Sequence, residues 1–132
     1  MGRKNRGGEA KRLTDVELEL MTILWRLGEA NVADVIAQML PGRDLAYTSV
    51  STILRILESK GVISSRKEGR GHIYAPLLGK TEYEARAVRD VVERVFQGAP
   101  IALVRQLIDT NQLTDNDVRE VRKLLMRARG RK

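Results

Sequence analysis

Between Tyr47 and Lys60 the chain carries short hydroxyl side chains and one guanidinium at positions that a helix would turn to one side. If Val50, Ile53, Leu54 and Leu57 form the inward stripe of that helix, Thr48, Thr52, Arg55 and Ser59 face outward, with Ser49 and Ser51 on the flanks. Hydroxyls both donate and accept hydrogen bonds, and a guanidinium offers a planar fork of donors. Such groups suit phosphate oxygens and base edges. Arg55 can take a guanine bidentately or grip a phosphate. Thr48, Ser49, Ser51 and Thr52, at the front of the helix, are best placed to enter a major groove. The Glu/Lys pairs that decorate an ordinary solvated helix face are missing from this one. Ile56 is apolar yet off the stripe, where packing on a neighbouring element is favoured over contact with a base methyl.

Charge gathers on the same part of the chain. The whole sequence holds 24 Lys and Arg against 17 Asp and Glu, a formal +7. From Arg43 to Lys80 seven basic residues face three acidic ones, whereas the stretch before it carries Asp15, Glu17 and Glu19 close together. A phosphate-facing surface requires that asymmetry. Arg66, Lys67 and Arg70 are expected to touch the DNA backbone and set register without reading sequence. Arg43, Tyr47 and His72 complete the predicted DNA-contact set. His72 is the one histidine, read as a strand residue near phosphate. The sequence has no cysteine, which excludes disulfides and thiolate metal sites. With no nucleophile–base pair and no phosphate-cradling loop, neither an enzyme nor a cofactor is expected. No apolar run approaches the ~20 residues of a membrane span, so the expected setting is the cytoplasm.

The elements that must position these groups follow from caps and periodicity. Thr14-Asp15-Val16-Glu17 has the form of a capping box and opens a helix to about Leu27, stopped by Gly28. Val16, Leu20, Ile23, Leu24 and Leu27 share one face of it, Leu18, Met21 and Trp25 the other, so it should lie between two layers. Asn31 caps a second helix to about Leu40, ended by Pro41-Gly42. The third runs from about Tyr47 to Lys60 and ends at Gly61. Two β-prone runs follow, residues 62–67 and 72–75, joined by Glu68-Gly69-Arg70-Gly71, whose two glycines supply positive φ angles for a hairpin. Three helices and then a basic hairpin is the order of a winged helix-turn-helix, predicted over residues 13–78.

Residues 79–128 are predicted helical again, which makes the fold class mainly α with a small β-hairpin. Thr81-Glu82-Tyr83-Glu84 repeats the capping-box pattern and opens a helix to about Gln97, with Val88, Val91, Val92 and Val95 as its stripe and Phe96 beside it. Pro100 starts another, carrying Leu103, Val104, Leu107 and Ile108 on one side. Thr114 caps the last, in which Val118, Val121, Leu124 and Leu125 align. About 45 residues in three short helices bury too little apolar surface to be stable alone. Their stripes need cover, either from a second copy, the favoured reading, or by folding back onto the winged part. Basic tails at 1–12 and 129–132 are expected to be unfolded, and either touch DNA or only aid solubility.

The stretches LTDVELELMTILWRLGEANVADVIAQML and DLAYTSVSTILRILESKGVISSRKEGRGHIYAPL resemble the BlaI/MecI penicillinase-repressor family. The marks are the tryptophan in the first helix, the Ala-Tyr-Thr-Ser-Val lead into the third, and the Lys-Gly-Val-Ile exit toward the wing. A weaker resemblance continues through VFQGAPIALVRQLIDTNQLTDNDVREVRKLL. It implies a bacterial repressor, a homodimer on an inverted-repeat operator of double-stranded DNA, held by its carboxy-terminal helices and relieved through an inducing peptidase or other signalling partner. Staphylococcal members are cut at an Asn-Phe bond, where this sequence has Gln106-Leu107. The copper-responsive branch uses a cysteine-rich motif that this sequence lacks. The competing reading is a winged-helix protein-interaction module without sequence-specific DNA binding.

Overall fold

The computed structural model describes residues 12–39, 42, 43 and 45–130. Most of the basic amino-terminal tail, the carboxy-terminal Arg131-Lys132, and Leu40-Pro41, expected to end the second helix, lie outside the described residues. The elements are α1 (Asp15–Leu27), α2 (Val32–Ala37), α3 (Tyr47–Ser59), β1 (Ile63–Glu68), β2 (Gly71–Pro76), α4 (Lys80–Arg94), α5 (Pro100–Asp109) and α6 (Asp115–Gly130). The chain forms two compact units, the first ending at Val88 and the second starting at Arg89. That division falls inside α4, beyond the boundary placed from the sequence.

In the first unit the helix starts are set by local side-chain chemistry. Thr14 accepts from the Glu17 amide at 3.1 Å, and the Glu17 carboxylate accepts from the Thr14 amide at 2.9 Å, the reciprocal bonds of a capping box. Asn31 and Asp34 repeat the arrangement at the start of α2. Gly28 (φ 88) and Gly61 (φ 82) turn the chain out of α1 and α3 in the left-handed region that a side chain disfavours. The core joins Leu20, Met21, Ile23 and Leu24 of α1 to Val35 of α2, Val50, Leu54 and Leu57 of α3, and Val62, Ile63 and Tyr74 of the hairpin. Ile53 packs against it, half-buried. Trp25 and Tyr83 pack against this same core rather than a separate layer: the Trp25 indole donates to the Leu78 carbonyl at 2.8 Å and its ring lies 5.8 Å from that of Tyr83. Leu27 was expected to point inward but is 39% exposed, because it ends α1 beside Gly28, past the last buried turn.

The hairpin is tighter than predicted. Lys67 pairs with His72 and Glu68 with Gly71, leaving Gly69-Arg70 as a two-residue turn. Only Gly69 takes a positive φ (61), which fits the first position of a type II′ turn; Gly71 sits in the strand with an ordinary φ. Ala30 exchanges both backbone hydrogen bonds with Tyr74, at 2.9 and 2.8 Å, adding a one-residue third strand that periodicity did not reveal.

α4 starts at Lys80, with the Tyr83 amide bonded to the Gly79 carbonyl, so Thr81 lies within the first turn and cannot cap it. The capping-box prediction there is corrected. Glu82 instead pairs with Arg86 one turn on, at 2.7 Å. α4 also ends at Arg94 rather than Gln97, because Gln97 (φ 48) and Gly98 (φ 81) are both left-handed. Thr114 does cap α6, exchanging hydrogen bonds with Asp117 at 3.0 Å each. α6 continues to Gly130, so the expected carboxy-terminal tail is helical through Arg129; its last-turn arginines face the negative helix end.

One ion pair joins α1 to the end of α3. Lys60 donates to Glu17 at 2.6 Å, and Glu17 is buried. Burial alone would raise the Glu17 carboxyl; the Lys60 and Thr14 hydrogen bonds outweigh it and hold the group below its ordinary 4.5. A carboxyl more acidic in the folded than in the unfolded chain stabilises fully above its ordinary pKa. That contribution fades as the pH falls through 4.5 toward the lower folded value. Glu17→Gln is therefore expected to cost about 1–2 kcal/mol at pH 7 and to lose less stability than the parent between pH 6 and pH 3. Parallel acid-side decline in the two proteins would show that the pair adds nothing.

Candidate nucleic-acid interface

Burying Val50, Leu54 and Leu57 fixes what α3 shows to solvent. Tyr47, Thr48, Ser49, Thr52 and Arg55 are exposed and Ser51 is half-buried. Ala46 at the N-cap makes no side-chain hydrogen bond to the helix, and no acidic residue occupies its first turn. The first amides, which take no cap from Ala46, and the positive helix end therefore lie among hydroxyl side chains, a setting that favours phosphate. Ile56 is 44% exposed and outside the core, so the expected packing is not made among the described residues.

The hairpin lies along one flank of α3. Ser65 donates to the Glu58 carboxylate at 2.8 Å, and Tyr74 is buried beside it. Burial pushes the Tyr74 phenol up, Glu58 adding to the effect and Arg55 opposing it. Strand alternation puts Lys67 and His72 on the same ribbon face as Ser65 and Tyr74, and the His72 ring lies 6.3 Å from that of Tyr74. Arg66 and Ile73 occupy the opposite face.

The predicted cations thus separate into two groups. Arg66 donates to both oxygens of Glu29, at 2.9 and 3.2 Å, and lies 3.3 Å from Glu68. Those bonds hold the Glu29 carboxyl below its usual range. Arg43 is likewise tied to Glu19, at 2.8 Å. Arg55, Lys67 and Arg70 are exposed and make no ion pair among the described residues. From the sequence all five belong to the predicted DNA-contact set. No local pattern announces the acids: Glu19 is 24 residues from Arg43, and Glu29 is 37 from Arg66.

A recognition-type helix with an outward hydroxyl and guanidinium face, beside a two-stranded wing, defines a winged helix-turn-helix of the DNA-binding kind. The comparisons with known proteins carry this further. Residues 13–127 match the penicillinase repressor family, and the chain belongs to that family of transcriptional repressors. The penicillinase repressor of Bacillus licheniformis is 25% identical over 121 residues, spanning 92% of this chain and 94% of that protein. The transcriptional regulator BlaI of Mycobacterium tuberculosis is 35% identical over 82 residues, 61% of this chain and 59% of that one. Among solved structures, the DNA-binding domain of the repressor BlaI superposes with a TM-score of 0.50 at 28% identity, over 57% of this chain and 92% of that one.

Proposed function

We propose that the protein is a cytoplasmic, non-enzymatic repressor that binds an inverted-repeat operator in double-stranded DNA as a homodimer and is released by an external signal. The observation that carries the DNA reading is the outward face of α3: Thr48, Thr52 and Arg55 exposed together, with Lys67 and Arg70 exposed on the neighbouring wing and in no ion pair among the described residues. Thr48, Ser49, Ser51 and Thr52 meet base edges and phosphates at the front of the helix, Arg55 takes a guanine, and Lys67, Arg70 and His72 hold the backbone. Tyr47 lies at the same helix end. Arg43 and Arg66 act in this reading as positioning residues, since Glu19 and Glu29 already satisfy them.

The homodimer rests on the second unit. From Arg89 onward Val92 alone is buried among the described residues; Val91, Val95, Val104, Ile108, Val118, Val121, Leu124 and Leu125 stay exposed, as does Val88 just before the unit boundary, while Phe96, Leu103 and Leu107 are half-covered. Helices with so little core of their own are stable when a second copy covers them. Residues 13–78 form the reading head in this scheme, and residues 79–128 join the copies.

A gel shift with the region upstream of the protein's own gene tests the assignment, and no specific complex would favour a protein-interaction module. Within that assay Arg55→Ala is expected to lose about 1–3 kcal/mol on the operator and to relax preference at one base position. Lys67→Ala should weaken operator and random DNA alike and flatten the salt dependence by about one ion. Equal losses on both DNAs for Arg55→Ala would reduce that residue to a phosphate contact.

A further inference from the structure

We infer that Ile56 reads the 5-methyl group of a thymine in the major groove; the inference rests on the DNA reading above and adds a base to it. Ile56 is 44% exposed, whereas Val50, Leu54 and Leu57 of the same helix are fully buried. It stays outside the core that Ile53, one turn earlier, packs against. At about 100° per residue, Ile56 lies about 20° around the helix axis from Ser49 and about 40° from Thr52. All three are exposed, so one row along α3 runs from two hydroxyls to an aliphatic side chain. Arg55, the proposed guanine contact, projects on the other side of Thr52, about 60° from it. The residue therefore belongs to the face proposed to enter the groove.

Its helical neighbours one turn away are Thr52, Ile53, Ser59 and Lys60, of which Ile53 alone is apolar and is half-buried. One aliphatic group ringed by hydroxyls and a cation is too small a patch to dock a protein partner. The Lys60 ammonium is turned to Glu17, at 2.6 Å, and to the Arg12 carbonyl, which engages the one cation of that ring. On the DNA side the chemistry selects the base. The major groove offers one apolar group, the thymine methyl; the remaining base-edge groups there are hydrogen-bond donors and acceptors. Against those an isoleucine strips water from groups that it cannot bond, and the penalty adds discrimination to the contact itself. Ile56 sits about 6 Å further along α3 than Thr52, roughly two base-pair rises of ~3.4 Å, far enough to meet a different base.

The test combines Ile56→Ala in the full chain with removal of single methyl groups from the DNA. Each thymine in the part of the upstream fragment protected by the unaltered protein is replaced in turn by deoxyuridine. That change keeps every hydrogen-bonding group and removes only the methyl. Affinities of parent and variant are measured on each duplex and on a random duplex of equal length. At one thymine of a half-site the replacement should weaken the parent about fourfold, the factor for one buried methyl, and leave Ile56→Ala unaffected. Ile56→Val should keep the sensitivity at that base, and Ile56→Ala should bind random DNA as the parent does. Equal loss in parent and Ile56→Ala at every deoxyuridine assigns the methyls to other side chains, Thr52 foremost. That result overturns the inference and leaves the DNA reading intact, as does the absence of any deoxyuridine effect. A loss by Ile56→Ala that is as large on random DNA makes the contact blind to sequence and overturns it too. If the parent selects no DNA, both readings fall together.

Discussion

Val95→Asp is expected to convert the protein from dimer to monomer in sedimentation while leaving its helical content intact. Val95 is 60% exposed in a single chain, so a carboxylate there meets water unless a second copy covers it. Covered, it becomes a buried charge without a partner, costing on the order of 3 kcal/mol at each of the two symmetry-related positions. Since each 1.4 kcal/mol is a factor of ten, one such position alone weakens the dimer about a hundredfold. Operator affinity should fall with it, because a monomer engages one half-site. Val92 makes a poorer probe. It is 8% exposed already, so a charge there would disturb the chain's own packing before any interface. A Val95→Asp variant that still sediments as the parental dimer would remove this stripe from the contact and return the exposed valines to an unexplained surface.

Leu54→Ala should be the most damaging single change in the first unit. Leu54 is fully buried at the centre of α3, within the cluster that joins α1, α2 and the hairpin. Removing three carbons from such a site typically costs about 3 kcal/mol, part lost transfer energy and part residual cavity. For a domain of this size that lowers the melting temperature by roughly 12–24 °C, read by circular dichroism. Binding to the upstream fragment should survive well below the new midpoint, because Thr52 and Arg55 keep their direction while the helix remains folded. A cost under about 1 kcal/mol would mean that α3 does not bury this face. The outward placement of the proposed reading residues would then lose its basis.

What the chain spells out locally, it keeps. The capping boxes at Thr14 and Asn31, the glycines that end α1 and α3, the stripe Val50, Leu54, Leu57, and the change of period into a hairpin are set by neighbours within a few residues. Local chemistry misled at Thr81, where the right capping pattern stands two residues too late, because the bond from Tyr83 to Gly79 had already begun the helix. Tertiary structure alone decided which cations remain free. Glu19 and Glu29 neutralise Arg43 and Arg66 across 24 and 37 residues, whereas Arg55 and Lys67 find no such acid among the described residues. It also decided that Ala30 becomes a strand and that Val92, but not Val95, is covered within one chain. Periodicity reports which way a side chain points from its own helix or strand. What stands opposite it depends on how distant segments pack, and no spacing along the sequence encodes that distance.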